Sequence, residues 1–195
     1  MPIFGADRWS VKLVPAYQLR VELVGIKPAI WRRFIVPPGI KLAKLHETIQ
    51  AAMGWLGGHL HEFIINDEHY GEPYDGMEKD PPLLDERRKS LKAALDSAAT
   101  FRYIYDFGDY WEHKVKLEKI LPDDGGLQLP QLTGGRNRRP PEDIGGVSGY
   151  REFLAIIADP THEEHASMLE RVGGAFDPTT FDYEAVIERF TAITP

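Results

Sequence analysis

Two histidines, His59 and His61, stand two residues apart in "HLHEFIIND", and downstream the stretch "YDFGDYWEH" (residues 105–113) carries Asp106, Asp109 and His113. A later loop, "PPED", adds Glu142 and Asp143. Imidazole plus carboxylate is a donor set for zinc, iron or manganese, and several carboxylates on a rigid turn suit magnesium or calcium. On that reading His59, His61, Asp106, Asp109 and His113 hold a divalent metal. Glu142 or Asp143 is then the general base of a metal-assisted hydrolase acting on a phosphoester. The same residues also fit a structural role. Strand alternation points His59 and His61 the same way as Phe63 and Ile65, which buries them. An aspartate ahead of a glycine caps its own turn, as Asp106, Gly108 and Asp109 would. Both readings stay open on the sequence alone.

Four aromatics crowd the same turn, more than an exposed turn needs. Phe107, Tyr110 and Trp111 therefore make a second hypothesis: a face for a protein partner, in a non-catalytic accessory protein of bacterial mobile-element or genomic-island context. A third is DNA binding through Arg136, Arg138 and Arg139 in "GRNRRPP". It works against the global charge of -7, from 30 acidic residues against 23 Lys and Arg, so it needs a local patch. No cysteine occurs, which excludes disulfides, thiolate metal sites and cysteine nucleophiles and fits a reducing cytoplasm. The opening residues "MPIFGADRWSVK" lack the apolar run of a signal peptide, and no stretch is long and apolar enough for a membrane span; a membrane partner is not expected.

The elements that must position these residues follow from periodicity. "YQLRVELVGI" (17–26) and "IWRRFIVP" (30–37) alternate as paired strands. "KLAKLHETIQAAMGW" places Leu42, Leu45, Ile49, Ala52 and Met53 on one helical stripe that Gly54 ends. "HLHEFIIND" is a further strand, and Ser90 caps a short helix. "TFRYIY" and "YWEHKVKLEKIL" form an antiparallel hairpin around the 105–113 turn. The 66–82 region and residues 122–149 read as loops, the latter rich in Gly and Pro. Helices then follow: one through "SGYREFLAIIAD", one opened by Asp159 and Pro160 and closed by Gly173, and one beginning near Thr180 or Asp182. Strands first and helices last predict an α+β fold: one domain over 1–195, a roll of mainly antiparallel sheet packed on helices with a helical C-terminal third.

Several signatures come close and fail. "DFG" lacks the glycine-rich loop, strand lysine and "HRD" of a protein kinase. "YQLRVE" puts Glu22 where a serine recombinase needs its nucleophile. The glycine pairs fit no P-loop or dinucleotide fingerprint. In order, however, "AIWRRFIVPPGIKLAKLHETIQAAMGW", "HLHEF", "YDFGDYWEH", "PPEDIGGVSGY" and "FDPTTFDYEAV" resemble the plasmid ORF-three-like family of root-inducing plasmids, often labelled as resolvase-like transposon passengers. The resemblance runs from about residue 14 to 191. It implies a compact α+β roll and no demonstrated activity. The family's recurring polar residues fall on His59, His61, Asp106, Asp109, His113, Glu142 and Asp143. Many relatives carry cysteines around the "PPED" loop, and this chain has none.

Overall fold

A computed structural model describes residues 14–73, 80–123 and 129–193. The opening residues read above for a leader lie outside them, as do 74–79 of the expected 66–82 loop. The chain runs β1 (Val14–Leu23), β2 (Trp31–Val36), α1 (Leu42–Met53), β3 (His61–Ile65), β4 (Glu68–Gly71), β5 (Leu83–Asp85) and α2 (Leu91–Leu95). It continues through β6 (Thr100–Tyr105), β7 (Trp111–Asp123), β8 (Gln131–Arg136), α3 (Gly146–Ala158), α4 (His165–Arg171) and α5 (Tyr183–Ala192). The eight strands form one sheet in the order β5-β4-β3-β6-β7-β1-β2-β8. Every pairing is antiparallel except β4 with β5. The expected α+β fold, mainly antiparallel and helical toward its end, is what forms.

One sheet face and the helices share the core. Leu19, Val21 and Leu23 of β1, Phe34 of β2, Tyr103 and Tyr105 of β6 and Trp111 and Val115 of β7 are buried against Leu42, Leu45, Ile49, Ala52 and Met53 of α1. Lys41 gives α1 no side-chain cap. Each large apolar side chain on its stripe contributes about 2 kcal/mol on burial, against about 1 kcal/mol for a good cap, so packing rather than capping holds the helix. Gly54 ends it at φ 88. Phe190 of α5 meets Phe34 edge-on at 6.0 Å, and Tyr150 and Phe153 of α3 pack on Phe176. The other sheet face is polar, with Arg33 bound to Glu118 at 2.6 Å and Arg20 to Glu22 at 2.8 Å.

The structure departs from the sequence expectations in three places. The 66–82 region contains β4, and the segment 122–149 contains β8 and the end of β7, so neither is wholly loop. Asp159 does not open a helix: it is the C-cap of α3, its Oδ1 accepts from the Thr161 amide and hydroxyl, and α4 starts at His165. The last helix does begin where expected, with the Asp182 carboxylate accepting from the Ala185 amide.

Candidate functional site

Asp106 answers the question its turn poses by dividing its oxygens. Its backbone is left-handed, φ 58, a conformation Asp tolerates better than most residues. Oδ1 accepts from the amides of Gly108 and Asp109 at 2.9 and 3.3 Å, closing the β6–β7 turn. Oδ2 is left for another partner and lies 3.7 Å from His59 Nδ1. His59 belongs to the connection between α1 and β3, just outside the strand. Its other nitrogen, Nε2, lies 3.4 Å from Asp143 Oδ1 and 3.8 Å from Glu142 Oε2.

Asp109 performs a different task. Its carboxylate accepts from the amides of Ile144 and Gly145 at 3.1 Å each, tying the hairpin turn to the loop that enters α3. That clamp sets Glu142 and Asp143 beside His59. One ligand atom each from His59, Asp106 and Asp143 lies within 4.8 Å of the others, a spacing that one ion can bridge. Glu142 anchors through Oε1, which accepts from the Leu56 amide at 2.8 Å.

Two buried atoms beside this cluster have no hydrogen-bond partner among the described residues: Glu142 Oε2 and the Tyr105 hydroxyl. An unpaired buried polar group costs about 1–3 kcal/mol, so both point to something that completes the hollow. Tyr105 is fully buried, its ring 5.7 Å from that of His59. Burial and then the charge of Glu142 push its hydroxyl up to about 12. The amides of Gly57, Gly58 and His59 pull the other way, yet none closes a hydrogen bond with it.

The remaining expected ligands are committed to other partners. His61 donates from Nε2 to Glu86 at 2.8 Å and stacks on His46 with ring centroids 3.5 Å apart. These groups and His59 line a hollow of about 280 Å³. Gln50 donates to the Tyr103 hydroxyl at 2.8 Å, leaving the phenol proton for His46 Nδ1, also at 2.8 Å. Burial and then His61 hold His46 down to about 3. His113 is fully buried: Trp55 Nε1 donates to its Nε2 and its Nδ1 donates to the Tyr103 carbonyl, each at 3.3 Å. Both nitrogens are committed, burial lowers its pKa to about 4, and His113 cannot join the His59 donor set. Of the aromatic face, Phe107 and Tyr110 are exposed but Trp111 is buried against Trp55, so Trp111 cannot touch a partner. Arg138 and Arg139 line a cavity while Arg136 stands on exposed β8 outside that lining, so the three make no continuous patch.

His46, Gln50, Tyr105 and Glu86 escape a reading of the sequence. His46 and Gln50, four residues apart beside the apolar stripe of α1, are a recoverable signal. Glu86 sits among "ERRKS", whose charges mask it.

A family model described as "Plasmid pRiA4b ORF-3-like protein" matches residues 15–185. The chain is 41% identical over 178 residues to the uncharacterized protein y4hQ of Sinorhizobium fredii, covering 90% of this chain and 87% of that one. It also resembles the crystal structure of a protein of unknown function, MM3350, from Methanosarcina mazei: 40% identity, TM-score 0.76, 87% of this chain and 96% of that one.

Proposed function

The chain belongs to the plasmid pRiA4b ORF-3-like family, and on that premise we propose that it is a metal-assisted hydrolase of phosphoesters. His59, Asp106 and Asp143 hold its divalent cation and Glu142 is its general base. The names of its relatives assign no chemistry, so the reading rests on geometry. The observation that carries it is the meeting of three donors within 4.8 Å beside the unpartnered, buried Glu142 Oε2.

Two carboxylates and one imidazole favour manganese or magnesium over copper. A cation held by His59, Asp106 and Asp143 would acidify a water and polarise a phosphoryl oxygen. Hydrolysis would join the water oxygen to phosphorus as the bond to the leaving oxygen breaks. Glu142 Oε2 takes the water proton, and Tyr105, protonated at neutral pH, donates toward charge developing on oxygen.

Protein purified without a histidine tag should take up about one equivalent of Mn²⁺ and, at a hundredfold excess over Kd, gain about 2.7 kcal/mol of stability. It should also hydrolyse an aryl phosphate. Asp143→Asn, at an exposed side chain, and His59→Ala should remove both properties with the fold intact by circular dichroism. Uptake below about a tenth of an equivalent, with no thermal shift from Mn²⁺, Mg²⁺ or Zn²⁺, defeats the reading.

A second reading, an accessory protein of mobile elements that docks a partner through the hairpin, is favoured by the exposure of Phe107 and Tyr110, 40% and 51%. Without Trp111 its contact face is those two rings. Partner capture that survives Phe107→Ala with Tyr110→Ala would remove it.

A further inference from the structure

On the far side of Glu142 lies a second cavity, of about 730 Å³, lined by Arg32, Arg138, Arg139, Arg171 and Arg189. Among the described residues none of these five forms an ion pair, although acids outnumber bases across the chain. The wall carries two acids against these five cations: Asp182, which caps α5, and Glu142, whose charge acts on Arg139. Among the described residues the cavity lining therefore carries an excess of positive charge.

The five lie at different depths: Arg32 is buried, Arg138 and Arg139 are half-buried, and Arg171 and Arg189 are exposed at the rim. Arg32 projects from the core face of β2 and is 2% exposed. Its Nε and Nη1 donate to the carbonyls of Ala52, Trp31 and Arg136 at 2.8–2.9 Å, while Nη2 has no partner among the described residues. Burial and then Arg139 pull its pKa down to about 9. Rings hold three of the guanidinium planes: Arg32 lies 4.2 Å over Phe181, Arg138 4.5 Å over Phe176 and Arg139 4.9 Å over Trp55. Arg138 and Arg189 make no side-chain hydrogen bond or ion pair among the described residues. Two glycines leave the room: a Cβ on Gly135 would lie 2.5 Å from the Phe181 ring, and one on Gly54 3.0 Å from Arg189 Nη1.

A buried guanidinium such as Arg32, set among like charges and with no ion pair among the described residues, is unfavourable. The missing counter-charge is most economically a ligand, and planar guanidinium forks match phosphate oxygens two at a time. A volume inside the range of about 300–1,000 Å³ typical of small-molecule sites accommodates a nucleotide. Recessed walls and the exclusion of Arg136 disfavour a nucleic-acid duplex. We infer that this cavity binds a phosphorylated small molecule up to nucleotide size, gripped by Arg32, Arg138 and Arg189. The inference goes beyond the cation site and does not rest on it.

Titration calorimetry on the full chain, in EDTA, with pyrophosphate, ATP and adenosine as probes, tests it independently of any cation. Saturable binding of pyrophosphate or ATP but not of adenosine is expected, with Arg138→Gln and Arg189→Gln each weakening it about tenfold, the loss of one charge-assisted contact. Thr180→Glu, at an exposed position on the cavity wall, adds a negative charge without removing a buried group and should weaken binding similarly. No saturable binding of either phosphate probe, or binding unchanged in all three variants, overturns the inference. Duplex DNA binding lost in the same variants, with no binding of pyrophosphate or ATP, would overturn it in favour of a nucleic-acid surface.

Discussion

Asp106 separates two functions that one side chain usually confounds. Its Oδ1 is consumed by the turn amides while Oδ2 faces His59, so the turn reading and the ligand reading of "YDFGD" concern different atoms. This distinction is invisible to sequence, because both roles select the same residue before the same glycine. It can be tested by chemistry. Asn keeps an oxygen for the Gly108 and Asp109 amides and tolerates left-handed backbone, so Asp106→Asn should alter stability by under about 1 kcal/mol yet weaken Mn²⁺ binding at least tenfold. Asp106→Ala removes both oxygens and should also cost about 1–3 kcal/mol by leaving buried amides unpaired. Urea midpoints and a Mn²⁺ titration on the pair decide the matter. Equal loss of stability in both variants would show that the turn depends on charge rather than on an acceptor.

At the scale of elements, the joint between the β6–β7 hairpin and α3 sets the geometry of the site. Asp109 binds the amides that lead into α3, and α3 and its approach are pressed close enough that a Cβ on Gly146 would sit 2.3 Å from the Asp109 carbonyl oxygen. Asp109→Ala should therefore lower stability by about 2 kcal/mol, or Tm by roughly 4–8 °C. Gly146→Ala should do more, since its φ of 66 is also left-handed. Thermal unfolding followed by circular dichroism reads both; an unshifted Tm in Asp109→Ala would mean that the joint is held elsewhere. The elements themselves differed in how legible they were. Strands β1, β2, β6 and β7 and helices α1 and α5 carry clean periods because one face of each packs on the core. Strand β8 is hidden by Gly134 and Gly135; at Gly135 the Phe181 ring leaves no room for a side chain, whereas a Cβ on Gly134 would make ordinary contact with Trp31 at 3.7 Å. Helix α4 was misplaced because the capping chemistry of Asp159 serves a turn.

Across the whole molecule, the sequence showed where polar groups cluster along the chain but not which of them the fold brings together. His59, Asp106, Glu142 and Asp143 meet, while His113 was grouped with them only because alternation cannot say whether an inward imidazole faces a hollow or solid core. The five cavity arginines come from positions 32, 138, 139, 171 and 189, and no local window contains them. Two imidazoles, the buried His113 and the half-buried His46, have a global consequence. His46 and His113 flank Tyr103 from two sides, one at its hydroxyl and one at its carbonyl, and burial lowers them to about 3 and about 4. An unfolded chain protonates both near pH 6.5, so between that pH and the folded values the unfolded state binds more protons and stability falls as pH falls. The slope approaches about 1.4 kcal/mol per pH unit for each imidazole once the unfolded groups are protonated. Glu118, lowered by Arg33, contributes the same sign, but only as pH drops through the carboxylate range, so the interval from pH 6.5 to 5 isolates the histidines. Urea denaturation across that interval should show stability declining with acid, and His46→Gln, which can still accept from the Tyr103 hydroxyl, should flatten the decline by about half. A stability constant from pH 6.5 to 5, or an equal slope in the variant, would mean that these imidazoles are already protonated in the folded core.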